Sequence, residues 1–87
     1  VEVVVADLAD AAQLSKLEGK LRQDASVTLL VNNAGIGTHT PLLLSGADEM
    51  TAMINLNVTA LTRLTYAVVP GMVARGRGAI INIASIV

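Results

Sequence analysis

Val27-Thr-Leu-Leu-Val-Asn-Asn-Ala-Gly35 is the stretch on which the fold turns. Val27 to Val31 make a short apolar run of strand length, and the run stops at the turn-prone Asn32-Asn33-Ala34-Gly35. This spacing predicts a buried strand that empties into a glycine-containing loop. Upstream, the apolar run Val1 to Val5 predicts another strand, covered on both faces and ending near Asp7. Between the two, Asp10 and Gln13 have capping-box spacing, and Leu14, Leu17 and Leu21 recur at helical intervals, which predicts a helix to about Gln23. Gly19 weakens that helix by about 1 kcal/mol relative to alanine without forbidding it. Downstream, Ser45 and Asp48 again have capping-box spacing and open a long helical pattern to about Arg75, with Pro70 expected to kink it or loosen its last turns. After Gly76-Arg77-Gly78, the run Ala79 to Ile83 predicts a third buried strand, ending at Ala84 and Ser85. Strand, helix, strand, helix, strand is the order of an α/β fold with a parallel sheet, right-handed crossovers and ligand groups at the carboxyl ends of the strands.

Composition narrows the function. The chain has 87 residues, near the lower end of the domain range, and with 0 cysteines it has no disulfide or thiolate site to support a small core. Hydrophobic residues are 53% of the sequence and aromatic residues 1%, so the core is built from Val, Ile, Leu, Ala and Met, the palette of a parallel sheet covered by helices. A net charge of -1 with six scattered Lys and Arg lacks the electrostatic footprint of a nucleic-acid binder and suits a small-molecule ligand. No apolar stretch reaches bilayer-spanning length and no signal-like segment opens the chain, so a soluble, cytoplasmic protein without membrane contact is expected. Both ends fall inside apolar runs, so the chain is expected to be part of a longer protein. It shows no repeat, low-complexity tract or linker.

Three places combine polar side chains with a strand end or an apolar face. At Asn32-Asn33-Ala34-Gly35, two amides can tie neighbouring strands together while the small residues let a flat ligand approach the main chain; an ordinary turn has the same composition. Asn57 occupies a slot in the stripe Met50, Ile54, Asn57, Leu61, Leu64, Val68. A buried amide without partners costs about 1–3 kcal/mol, so Asn57 is bonded either to backbone or water as a structural tie, or to a catalytic water. Asn55 and Thr59 lie off the stripe and read as surface or interface residues. Ser85 follows the third strand, where a hydroxyl at a carboxyl end can donate to a substrate carbonyl or simply turn the chain. His39, the only histidine, has no metal-ligand or Ser-Asp pattern near it and reads as a loop residue. Tyr66 is followed four residues on by Pro70 and not by lysine, so it lacks a partner to lower its proton affinity.

In order and spacing, Asp7-Leu8 after the first strand, Asn-Asn-Ala-Gly after the second, the asparagine of Ile54-Asn-Leu-Asn-Val-Thr-Ala60, and Ile81-Asn-Ile-Ala-Ser85 resemble the short-chain dehydrogenase/reductase family. The resemblance implies a partial Rossmann-like, doubly wound parallel sheet. Residues 1–87 would then be part of an NAD(P)-binding Rossmann domain. Asp7 and Leu8 would flank the adenine ring, Asn33, Ala34 and Gly35 would line the adenosine side of NAD or NADP, and Asn32 would help hold the central strands. Asn57 would bind, through its main chain, a water of a proton relay, and Ser85 would hydrogen-bond the substrate carbonyl during hydride transfer. No metal is implied. Two family features have no counterpart here: the glycine-rich phosphate loop of the form TGxxxGxG, and the catalytic YxxxK pair, expected roughly a dozen residues beyond Ser85 in this family.

The family's sheet order, 3-2-1-4-5, would make the present strands the third, fourth and fifth, with two further strands between the first and second of them. Alone, the opening strand lacks its neighbour, and the isolated 87 residues are expected not to fold stably. The resemblance implies an oxidoreductase acting on an alcohol or carbonyl substrate, a homodimer or homotetramer through the long helix, with Thr59, Thr62, Arg63 and Tyr66 on a face that could serve. The alternative is a nucleotide-binding regulatory protein or a catalytically inactive, truncated family member.

Overall fold

The turn ahead of Leu14 starts the first helix of the computed structural model, which describes residues 2–35 and 41–83, with the backbone only at Leu42. Asp10 is its N-cap, and its carboxylate accepts from the N–H groups of Ala12 and Gln13, which have no acceptor inside the helix. Helix α1 then runs Ala11–Gln23, with Lys20 and Arg22 in the last turn where the dipole favours cations. The capping box differs in one detail from the expected form. The Gln13 side-chain oxygen accepts from the N–H of Asp7, not of Asp10.

Strand β1 spans Leu29–Asn32 and pairs in parallel with β2, Ala79–Asn82, in the register Leu29 to Ala79 through Asn32 to Asn82. The ladder is extended by Ala79 N–H to Thr28 O and Ile83 N–H to Asn32 O, both 2.9 Å. The expected second strand is therefore displaced toward the loop, because the pairing partner and not the apolar run sets its limits. The expectation that these strands are buried is corrected in part. Leu29, Val31, Ile81 and Ile83 are about half exposed, so only one face of the two-stranded sheet is covered.

The opening run forms no strand among the described residues, and Val3 and Val5 stand 80% and 95% exposed. An extended segment becomes a strand only when another strand takes up its N–H and C=O groups, and β1 and β2 pair with each other instead.

The long helix is interrupted where the sequence shows no breaker. A short 3-10 turn, Leu42–Leu44, precedes α2, Ala47–Ile54; Gly46 and not Ser45 is the N-cap and makes no side-chain capping bond. A π-helical turn, Asn55–Thr59, leads into α3, Ala60–Arg75. Pro70 is carried inside α3, and the irregularity lies before α3 instead. The wide turn shifts the phase of the apolar stripe. Ile54 is half exposed, whereas Ala60, Leu64, Ala67, Val68 and Met72 are buried. Gly76 ends α3 in the left-handed region at φ 66°, donating to the carbonyls of Met72 and Val73.

The core sits between α1 and α3: Leu14, Ala60 and Leu64 are buried, with Leu8, Leu17, Leu21 and Leu30 packed around them. Beside it, Arg63 of α3 grips Glu18 of α1 with two nitrogens, the second at 3.0 Å, and the Glu18 side chain is buried. Arg63 thus reaches toward α1 while its side chain stays about half exposed. Among the described residues, no helix is long and apolar enough to cross a membrane.

Candidate functional site

Parallel pairing brings the carboxyl ends of β1 and β2 to one rim, at Asn32 and Asn82. There the Asn32 side-chain amide donates to the Asn82 side-chain oxygen at 2.9 Å, and Asn32 is buried. The tie expected of Asn32 is present, and its partner is an asparagine that sequence reasoning passed over. Its signal was available: a lone amide inside the apolar run Ala79 to Ile83.

Beyond that rim the chain releases Asn33, Ala34 and Gly35, all exposed. Asn33 and Ala34 line a small cavity of about 70 Å³ whose other walls include Leu8, Leu30, Leu56 and Leu61. Leu8 comes from the turn after the opening run, so two of the expected cofactor segments face one cleft. Asp7 is exposed beside it, and its carboxylate accepts from the N–H of Ala9 at 2.9 Å.

Asn57 lies in the π turn and reaches the same loop. A Cβ added at Gly35 would stand 3.1 Å from Asn57 Oδ1, so glycine is what permits this close approach. The wide turn disturbs the regular ladder of the long helix around this residue, with the Ala60 N–H donating to Asn55 O. Asn33, Ala34, Gly35 and Asn57 are therefore gathered at one rim, with Leu8 opposite. Ser85 lies outside the described residues, as does His39. Strand β2 ends three residues before Ser85 at the rim that carries Asn33.

A second cleft is lined by Leu8, Ala9, Leu14, Asn55, Thr59 and Arg63. Asn55 and Thr59, expected to be surface or interface residues, are half-buried here, in the π turn that packs beside α1. Arg63 has its guanidinium held above its ordinary proton affinity by the hydrogen bonds to Glu18, with the opposite charge adding to them. Asp10 is held below the usual carboxylate range, first by the N–H of Gln13, then by the Gln13 side chain and the N–H of Ala12. Among the described residues no group of three or more His, Cys, Asp or Glu side chains could hold a metal.

Comparison with known proteins identifies the family. The profile of the short chain dehydrogenase family matches residues 1–87. A very-long-chain 3-oxoacyl-CoA reductase from Coprinopsis cinerea is 42% identical over 69 residues, covering 77% of this chain and 20% of that protein. Human inactive hydroxysteroid dehydrogenase-like protein 1 is 31% identical over 86 residues, covering 97% of this chain and 26% of that protein. Among solved structures, a short-chain dehydrogenase from Sphingobium yanoikuyae in complex with NADPH superposes with a TM-score of 0.89 at 44% identity, over 93% of this chain and 32% of that one. The chain thus spans between a fifth and a third of the length of these relatives. The family profile extends over residues 1–87 and relatives of 31–44% identity accompany it, so this chain belongs to the short chain dehydrogenase family.

Proposed function

We propose that residues 1–87 form part of the NAD(P)-binding Rossmann domain of an oxidoreductase that moves a hydride between nicotinamide and an alcohol or carbonyl substrate. The observation that carries this reading is the meeting of Leu8 with Asn33 and Ala34 across one cleft, with Asn57 against Gly35 at its edge. Apolar walls and small residues at a strand end suit the flat face of an adenine, so the residues present fit the nucleotide. Asp7, Leu8, Asn33, Ala34 and Gly35 would hold its adenosine half, and the bound nicotinamide would supply or accept the hydride. Asn57 would hold a water through its main chain. Ser85 would donate to the substrate oxygen and stabilise the charge that develops there. NADPH in the Sphingobium relative favours a nicotinamide dinucleotide here too.

Assembly as a dimer or tetramer through the long helix belongs to the same proposal, supported by Tyr66 and Val73, each about three-quarters exposed. A second reading, a family member without turnover, is favoured by one observation, the likeness to the human protein named inactive. Turnover of the full-length protein, with and without Ser85→Ala, tests both readings. In the variant it should fall roughly 10²- to 10³-fold with nucleotide affinity unchanged. Undiminished turnover would overturn the role of Ser85, and no turnover in the unsubstituted protein with any alcohol or carbonyl would favour the second reading.

A further inference from the structure

The turn that carries Leu8 into the cleft packs its side chain against α1 and α3, but the hydrogen bonds that hold its main chain come from one side. No strand pairing reaches the run before it among the described residues. Its bonds come from the start of α1. Asp10 N–H donates to Asp7 O at 3.1 Å, Ala9 N–H to the Asp7 carboxylate at 2.9 Å, and Asp7 N–H to Gln13 Oε1 at 2.8 Å. Gln13 has a second hold, since its Nε2 donates to Asp10 Oδ2 at 3.2 Å. Its amide thus bridges the residue before Leu8 and the helix cap. Asp10 and Ala9 fix the turn locally; among the described residues, Gln13 is the residue inside α1 that hydrogen-bonds its first residue.

From this geometry we infer that Gln13 is a positioning residue for the nucleotide cleft: it sets the main chain at Asp7-Leu8 against Asn33-Ala34 and so tunes affinity for the adenosine half. The inference rests on the nucleotide reading of the cleft and adds to it a residue that does not line the cleft. Gln13 is exposed, so its bonds contribute little while water competes for them. A flat ligand seated against Leu8 makes an ordered turn matter, because it binds the turn in one arrangement only. Loss of the bridge leaves the Asp7-Leu8 turn to be ordered by the ligand, at the expense of affinity.

Gln13→Met keeps the length of the side chain and removes both the acceptor and the donor. In the full-length protein, ligand-observed NMR titrations with ADP-ribose and with nicotinamide mononucleotide report on the two halves of the pocket separately. ADP-ribose should bind about 3- to 10-fold more weakly to the variant, the range expected for one hydrogen bond, while nicotinamide mononucleotide is unaffected. Circular dichroism checks that the variant keeps its helices. Unchanged ADP-ribose affinity, or an equal loss for both fragments, would overturn the inference. Failure of either fragment to bind the unsubstituted protein would overturn the nucleotide reading itself, a result distinct from both.

Discussion

Replacing Asn82 by alanine tests the rim of the sheet most directly. Asn82 is exposed, whereas its partner Asn32 is only 8% exposed, and the two share a side-chain hydrogen bond of 2.9 Å. The cost is therefore lopsided. Truncating the exposed partner strands a buried amide donor, which costs about 1–3 kcal/mol, more than the roughly 1 kcal/mol net value of a typical hydrogen bond. In thermal unfolding of the full-length protein, each kcal/mol moves the midpoint by about 2–4 °C for a domain of 150–250 residues, so a fall of roughly 2–12 °C is expected. Adding Asn32→Leu to Asn82→Ala removes the stranded amide at nearly constant volume and should recover most of that loss. If Asn82→Ala melts like the unsubstituted protein, or the double variant melts no higher than the single one, the amide tie does not hold the rim together and the argument fails.

Three other outcomes follow from particular contacts. Gly78→Ala would drive a methyl group into the Met72 side chain, whose Cβ would lie 2.7 Å away, so overpacking should cost about 1–3 kcal/mol, read as a lower unfolding midpoint in urea. Asp10 is held below the usual carboxylate range by the N–H groups it caps; its stabilising effect is in full force above the unfolded carboxylate value of about 3.9 and fades as pH drops through the lower folded value. Asp10→Asn keeps a capping oxygen but should flatten the acid limb of a plot of unfolding midpoint against pH, and an unaltered limb would remove Asp10 as a source of that dependence. Arg63→Met should destabilise the protein by leaving the buried Glu18 carboxylate without its counter-ion, and Glu18→Leu on that background should restore stability; additive losses in a double-mutant cycle would show that the pair is not coupled.

The sequence on its own determined α1, the first of the two strands that pair, the helical stretch after Gly46 and the second paired strand, in that order, because helix and strand periodicities are local. The leucines of α1 at helical spacing, the Asp10 cap and the apolar Ala79-Ile-Ile81 run need no partner to be read, and each appears in the structure. It also determined the composition of the site: Asn-Asn-Ala-Gly after a strand, and an asparagine in the long helix. Only the tertiary structure decided what depends on a second segment. Whether Val3 and Val5 are strand or exposed coil depends on a neighbour for their main-chain groups, and no pattern within a single run reveals that. The π turn at Asn55–Thr59 has no Gly or Pro to announce it, so the placement of Asn55 and Thr59 in a cleft and of Ile54 toward solvent was hidden. The pairings of Asn32 with Asn82 and of Glu18 with Arg63 join residues 50 and 45 positions apart, and such contacts exist only once parallel strands and packed helices have set the distance between them.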